Sequence, residues 1–147
     1  MRVRERLAAL RQPEFKALRE RLLSIGGCEV KPAPGSVDNA IGALLDDGRE
    51  MRLGILLVRM QSAHCNANIA QIWQQRNASV LAMCTGYALD PGGSVWRQHW
   101  WGLTSEARIL ETTIARSRYF GVDFTGESAD EMAVEILCRV PTWRKWV

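Results

Sequence analysis

The centre of the chain carries two largely apolar stretches separated by a short turn. Residues 79–89 read SVLAMCTGYAL and residues 95–103 read VWRQHWWGL. The intervening residues 90–94 read DPGGS, and Asp, Pro and Gly supply the backbone conformations that a tight turn requires. This pattern predicts an antiparallel hairpin. No other segment constrains the fold as strongly.

Further elements surround the hairpin. Residues 108–114 (RILETTI) predict a third strand, and residues 119–124 (YFGVDF) predict a fourth. Residues 65–76, before the hairpin, carry apolar side chains at helical spacing, which predicts a helix. Helices followed by an antiparallel meander and a closing helix indicate the α+β class.

The remaining segments are mostly helical in pattern. Residues 2–23 place apolar side chains on one helical face, and Pro13 is expected to kink this helix or divide it in two. Ser128 and Glu131 form a capping-box pattern before the closing helix. Residues 51–60 (MRLGILLVRM) are a compact apolar run, which fits either a buried strand or part of a helix.

Length and composition indicate one folded domain. The chain has 147 residues, of which 47% are apolar and 24% charged, as is usual for a folded protein. We expect a single domain over residues 1–147, with an N-terminal helical region at 1–30 and a catalytic-type core at 61–124.

Charge and hydropathy limit the classes of partner. The net charge is only +3, and the arginines of the N-terminal segment are interleaved with acids such as Glu5, which argues against nucleic-acid binding. No apolar run reaches the roughly 18 to 20 residues that a membrane span needs, and no secretion signal is recognisable. We therefore expect a cytoplasmic protein that binds neither nucleic acid nor membrane.

Four cysteines, at positions 28, 65, 84 and 138, form no CxxC pair, and we expect all four to be free thiols. Cys65 differs from the others because it stands at the predicted start of a helix among polar residues (SAHCNAN). A helix N-terminus stabilises a thiolate, which is the nucleophilic form of cysteine. The sequence thus favours a catalytic Cys65 over the alternative of a buried packing thiol.

His99 is the candidate base. Strand alternation places Arg97, His99 and Trp101 on one face of the second hairpin strand, where the imidazole could take the proton of the Cys65 thiol and return it to a leaving group. The alternative is a structural histidine. His64 is a rival base, although adjacent side chains at a helix start usually diverge.

Glu111 is the candidate third member of a triad. It lies inside the otherwise apolar strand 108–114, where a buried carboxylate needs a partner. On a strand next to that of His99, it would fix the imidazole tautomer and stabilise the imidazolium. The alternative is an acidic residue that faces solvent.

Other residues are candidates for binding the substrate. The backbone N–H of Cys65 is the natural first oxyanion donor, and Gln61 or Asn68 could supply a side-chain donor. Asn68 could equally tie the loop to the helix. Arg97 could recognise a substrate carboxylate or pair with an acid such as Glu111, and Trp101 could line the cleft beside His99.

Neither a metal nor a cofactor is predicted. A zinc site built from Cys65, His64 and His99 would lack the paired spacing of zinc ligands. The glycine pairs at 26–27 and 92–93 read as turns, and no Gly-rich phosphate loop is present.

The order of the three candidate residues resembles that of a known family. Cys65 at a helix start, His99-Trp100 on a strand and Glu111-Thr112-Thr113 on the next strand look like the transglutaminase-like branch of the papain-like superfamily. That branch carries Cys, then His-x-Trp, then Asp-x-Thr, so Glu111 stands where Asp is usual. The resemblance covers residues 61–114.

The resemblance implies a papain-like α+β fold and acyl transfer at an amide carbonyl through a thioester, as in a thiol protease, amidase, deamidase or transamidase. It also implies a peptide or protein substrate. The superfamily contains inactive modules that bind a peptide or protein, which is the main alternative. A redox or metal-linked role of Cys65 and His64 is a third possibility.

Overall fold

The computed structural model describes residues 13–32, 38–76 and 79–139, in which four helices and seven strands occur. The helices are α1 (Pro13–Ile25), α2 (Asp38–Asp47), α3 (Cys65–Gln74) and α4 (Gly126–Cys138). The strands are β1 (Glu29–Val30), β2 (Arg49–Glu50), β3 (Gly54–Leu57), β4 (Val80–Leu89), β5 (Val95–Thr104), β6 (Arg108–Glu111) and β7 (Arg118–Phe124). The predicted α+β class is confirmed.

The strands pair in the order β2-β7-β4-β5-β6-β3, and β1 pairs with β5 off this path. The β5–β6 pair is antiparallel, with Gly102 opposite Leu110 and Leu103 opposite Ile109. The β3–β6 pair is parallel and aligns Leu57 with Glu111. These two registers decide which side chains lie beside His99 and Glu111.

The described chain divides into two compact units, whose boundaries fall within β4, β5 and β7. The first unit contains the described residues up to Arg52, together with Gly86–Gln98 and Arg116–Val122. In this unit α1 buries Phe15, Leu18 and Leu22, whose spacing of three and four residues places them on one helical face.

The second unit contains the described residues of 53–85, His99–Ala115 and those from Asp123 onward. Helices α3 and α4 share its apolar core with the sheet. The buried residues of this core are Ile69, Ala70, Val80, Met83, Leu110, Ala129, Ala133 and Ile136. The indole N–H of Trp73 on α3 also donates to Asp130 on α4 over 2.9 Å, which fixes the helix pair.

Most predicted elements occur where the sequence indicated. The hairpin strands and the helix that starts at Cys65 are confirmed within one or two residues. Pro13 is the first residue of α1, as suits a residue without a free N–H at a first helical turn; the expected kink or division at Pro13 involves residues 2–12 and stays a prediction. Residues 2–12 and 140–147 lie outside the described part of the chain. The single-domain expectation for residues 1–147 stays a prediction.

One local expectation is wrong, and another is confirmed only in part, since the run 51–60 does contain a strand but not a buried one. The closing helix begins at Gly126 after an N-cap at Thr125, so Ser128 and Glu131 do not form a capping box; the Ser128 hydroxyl donates to the Thr125 carbonyl instead. The apolar run 51–60 contains only the short strand β3, and most of its side chains are exposed. Apolar content alone does not reveal whether another element covers a strand.

None of the described helices is both long and apolar enough to cross a membrane.

The close approach of β4 and β7 at Gly86 generates a stability prediction. A Cβ atom at Gly86 on β4 would collide with the Phe120 carbonyl oxygen on β7. We therefore expect Gly86→Ala to lower the free energy of unfolding by about 3 kcal/mol, as overpacking does. Gly42→Ala is the control, because nothing lies within 4 Å of its Cβ position in α2 and Ala favours a helix by about 1 kcal/mol.

Urea unfolding of the two variants measures both effects. A Gly86→Ala protein as stable as Gly42→Ala would contradict this close packing of β4 against β7.

Candidate active site

Cys65 is the first residue of α3, and His64 is the N-cap. The chain enters the helix through a tight loop in which Ala63 has a φ of 61°, a left-handed conformation that is uncommon for a residue other than glycine. Cys65 is partly exposed. Its own N–H has no helical acceptor, because the first turn of a helix leaves its N–H groups unpaired.

The loop before Cys65 is tied to the end of β6. The Asn68 side-chain amide donates to the Gln61 carbonyl over 2.8 Å and to the Thr112 hydroxyl over 3.2 Å. The backbone N–H of Met60 donates to the Thr112 carbonyl over 2.7 Å. These contacts hold the loop 58–64, which precedes α3, against the end of β6. They therefore fix the start of α3, where the nucleophile lies.

His99 and Glu111 form a buried pair. The His99 Nε2–H donates to the Glu111 carboxylate, with distances of 2.8 Å to Oε2 and 3.0 Å to Oε1. The side chains are only 2% and 0% exposed. A buried carboxylate is tolerated because it is paired and hydrogen-bonded. The predicted contact between the two strands is therefore present.

Thr113 holds the carboxylate from the other side. Its backbone N–H and its hydroxyl both donate to Oε1 of Glu111, over 3.1 Å and 3.0 Å. With His99 added, the carboxylate has three donor groups around it. Glu111 is thus fixed in one orientation.

Cys65 joins this pair from the helix side. The Cys65 thiol and the His99 ring are hydrogen-bonded to each other, and the backbone N–H of Trp100 donates to the same sulfur. Because Glu111 occupies Nε2 of the imidazole, the nitrogen left for the sulfur is Nδ1. The structure therefore brings Cys65, His99 and Glu111 together in a chain of hydrogen bonds.

The Trp100 N–H is available to the sulfur because of where β6 ends. The β5–β6 register places residue 100 opposite Thr112, one position beyond the end of β6 at Glu111. On the other side of β5, the Thr85 hydroxyl donates to the His99 carbonyl over 3.4 Å. The N–H of Trp100, which belongs to the same peptide group, points the opposite way, toward the Cys65 sulfur.

The surroundings shift the two titrating groups in opposite directions. Burial raises the pKa of the Cys65 thiol, but the hydrogen bond and charge of His99 and the Trp100 N–H outweigh it, so the net pKa is lowered. The charge of Glu111 opposes this lowering. Burial lowers the pKa of His99, but its hydrogen bonds to Cys65 and Glu111 outweigh burial and raise the net pKa. A thiolate–imidazolium pair is therefore favoured.

Trp101 supports the imidazole. Its ring stacks on His99 with a centroid distance of 6.1 Å and an angle of 22° between the planes. Two residues apart on one strand, the rings share a face, as predicted. Trp101 is completely buried, and its contact with the site is this stacking on His99.

The other predicted residues lie in different settings. Both N–H groups of the Asn68 side chain are used inside the protein, which favours its structural alternative over an oxyanion role. Gln61 is partly exposed in the loop before Cys65. His64 is the partly exposed N-cap of α3. Arg97 is exposed and lies in the first unit, outside the hydrogen-bond chain just described.

Two contributors to the site were not singled out by sequence reasoning. The Trp100 N–H is a backbone group, and no side-chain pattern reports it. Thr113 was part of the acid-x-Thr pattern, and that pattern was the signal from which its contact with Glu111 could have been inferred. In the described ranges, no group of three or more His, Cys, Asp or Glu side chains is arranged to hold a metal ion.

No protein-family model, curated protein or solved structure matches this chain. The resemblance to the transglutaminase-like branch therefore stays a prediction. A function must be argued from the geometry of Cys65, His99 and Glu111.

The opposed pKa shifts generate a prediction about pH. A thiol with a lowered pKa stays ionised to lower pH, so we expect Cys65 to alkylate with iodoacetamide at a pH below the usual titration range of a cysteine thiol and to lose reactivity only as pH falls through that lowered pKa. In His99→Gln the largest remaining influence is burial, which raises the pKa of Cys65. The midpoint should therefore move to higher pH.

Thiolate ultraviolet absorbance, with Cys65→Ala as the blank, measures this midpoint. A midpoint that is the same in the wild type and in His99→Gln would contradict the ion pair.

The Thr113 hydroxyl generates a second prediction. Thr113→Val keeps the shape of the side chain but removes one donor to Glu111, a loss of about 1 kcal/mol. We expect the alkylation rate of Cys65, measured at a pH below its thiol pKa, to fall by about fivefold, because a less firmly held Glu111 stabilises the imidazolium less. Thr113→Ser, which retains a hydroxyl, should restore most of the rate; equal rates in the Val and Ser variants would exclude this positioning role.

Proposed function

We propose that this protein is a cysteine-dependent acyl-transfer enzyme that acts on an amide bond through a thioester intermediate. The observation that carries the proposal is the continuous series of hydrogen bonds from the Cys65 sulfur through the His99 imidazole to the buried Glu111 carboxylate. The opposed pKa shifts add support, since perturbed pKa values in such a cluster are typical of catalytic groups.

Acylation follows from this arrangement. The Cys65 thiolate attacks the amide carbonyl carbon and forms a C–S bond, while the carbonyl electron pair moves to oxygen. When the tetrahedral intermediate collapses, the C–N bond breaks and the leaving amine takes the Nδ1 proton of His99. Glu111 holds the ring in the required tautomer throughout.

The thioester is then released by a second nucleophile. Neutral His99 takes a proton from water or from an amine as that nucleophile attacks, and the Cys65 thiolate leaves with its C–S electron pair. Water gives a protease, amidase or deamidase, and an amine gives a transamidase. Both outcomes use the same three residues.

The oxyanion needs donors close to Cys65. The Cys65 N–H at the first position of α3 is one donor. We assign the second to the Gln61 side chain, which makes no hydrogen bond of its own within residues 13–32, 38–76 and 79–139. Gln61 is held four residues before the nucleophile by the contact of its carbonyl with Asn68.

The same proposal includes a papain-like arrangement of the second unit, in which the Cys-bearing helix α3 packs on the strands that carry His99 and Glu111. It includes a peptide or protein as the substrate. It also includes a cytoplasmic location, since Cys28, Cys65 and Cys138 are free thiols and reducing compartments maintain that state.

An acyl-trapping experiment tests the function. p-Nitrophenyl acetate is a general acyl donor, and we expect it to acetylate Cys65 ahead of the exposed Cys28 and Cys138. Mass spectrometry should locate the acetyl group, and hydroxylamine should remove it, as expected of a thioester. His99→Ala should slow acetylation by at least about a hundredfold, the usual contribution of general base catalysis.

Two results would contradict the proposal. One is acetylation of Cys65 no faster than that of Cys28. The other is an acetyl-Cys65 that forms at the same rate in His99→Ala. Either result would favour the alternative of a module that binds a peptide or protein without turnover.

A further inference from the structure

The strand β3 is exposed in a way that the proposed reaction does not explain. It is the last strand in the sheet order and pairs with β6 on one side. Its side chains and those beside it are apolar yet exposed, at 39% for Leu53, 37% for Leu56, 39% for Leu57 and 43% for Val58. Proteins usually shorten, charge or cover such an edge, because its backbone can pair with another strand.

The backbone directions show which groups face outward. The Val58 N–H donates to the Glu111 carbonyl over 2.8 Å, and the Met60 N–H donates to the Thr112 carbonyl. Residues 58 and 60 therefore turn their N–H groups toward β6, and alternation turns those of Leu57 and Arg59 away from it. The Ile55 carbonyl also faces away, where the Arg108 guanidinium donates to it over 3.2 Å.

This edge is positively charged. Arg59 is exposed, and Arg108 reaches across the edge to the Ile55 carbonyl. Within the ranges 13–32, 38–76 and 79–139, neither arginine has an acidic partner. Residues 55 and 59 are separated by about 13 Å along an extended strand, at 3.3 Å per residue.

We propose that the outer edge of residues 55–59 binds an extended segment of the protein substrate as an added β-strand, and that this segment carries apolar side chains flanked by acidic ones. The inference rests on the proposed function, because it names the substrate class of the Cys65 site. Main-chain hydrogen bonds to the outward groups of Leu57 and Arg59 provide the affinity, as in other β-strand additions. The two arginines select the acidic flanks.

The charge argues against a second copy of this chain as the occupant. Antiparallel pairing of two β3 strands would bring two sets of Arg59 and Arg108 to one short interface. Such like charges across an interface suppress association, since neither arginine has an acidic partner among the described residues. An acidic segment of another protein meets the same edge with complementary charge.

The position of the edge connects it to the active site. Residues 58 and 60 bond directly to Glu111 and Thr112, and the chain then continues through Gln61 to Cys65. A substrate segment held on β3 lies beside the loop that carries the nucleophile. Binding of this segment would anchor the substrate at a distance from the reacting amide and would raise the effective concentration of that amide at Cys65.

A binding experiment in the Cys65→Ala background tests the inference without turnover. The probe is a fluorescein-labelled peptide with a core of alternating Val and Thr and a Glu at each end, measured by fluorescence anisotropy. We expect it to bind, and we expect affinity to fall by at least about tenfold when Lys replaces both Glu residues. N-methylation of every second backbone amide of the peptide should abolish binding when the methylated amides are those that face β3. Methylation of the other set, which faces away from β3, should leave binding intact.

Protein variants locate the site. Arg59→Glu should weaken binding of the Glu-flanked peptide by at least about tenfold and should favour the Lys-flanked peptide instead. Leu57→Pro removes an outward N–H that β6 does not use and should also weaken binding. Arg19→Glu, at an exposed arginine on α1, is the matched control and should bind like Cys65→Ala alone.

Several outcomes would overturn the inference. These are no binding of any peptide, equal affinity for Glu- and Lys-flanked peptides, or equal losses in Arg59→Glu and Arg19→Glu. A concentration-dependent dimer in sedimentation that Leu57→Pro disrupts would assign the edge to a second copy. Each of these is independent of thiol reactivity. Failure of acetylation at Cys65 rejects the enzyme, whereas failure of peptide binding with acetylation intact rejects only the docking edge.

Discussion

The bond between His99 and Glu111 is buried, and the arrangement of the second unit depends on it. A carboxylate with no exposure to water costs several kcal/mol unless partners replace its hydration; here the imidazole and two groups of Thr113 do so. Because Glu111 takes Nε2, only Nδ1 remains for Cys65. One contact therefore stabilises a buried charge and decides which nitrogen meets the sulfur.

That contact requires the β5–β6 register to hold, and the approach of Cys65 requires α3 to pack closely on β5. A slip of one residue between β5 and β6 would turn every side chain of β6 to the other face and separate Glu111 from His99. The packing of α3 depends on Gly102, because a Cβ there would lie 2.9 Å from Cδ1 of Ile69. The sheet register thus places His99 and Glu111, and the missing side chain at position 102 lets α3 approach with Cys65 at its end.

The features of the site that could be predicted are those set by residues close together in the sequence. The turn at 90–94 sets the hairpin that carries His99, and the polar context of Cys65 marks the start of α3. The structure adds what depends on neighbours distant in sequence. The Trp100 N–H reaches the sulfur only because β6 ends at Glu111, and most side chains of the run 51–60 are exposed because nothing described covers β3. The Ser128–Glu131 pattern fails because the helix begins one turn earlier, at Gly126.

The charges of the site also explain why Glu111 must act through His99. A carboxylate near a thiolate is unfavourable, and the charge of Glu111 by itself raises the pKa of Cys65. Its hydrogen bond raises the pKa of His99, and the resulting imidazolium stabilises the thiolate more than the carboxylate opposes it. The imidazole thus separates the two negative groups, and the net result is a nucleophile ionised at a lower pH than burial alone would allow.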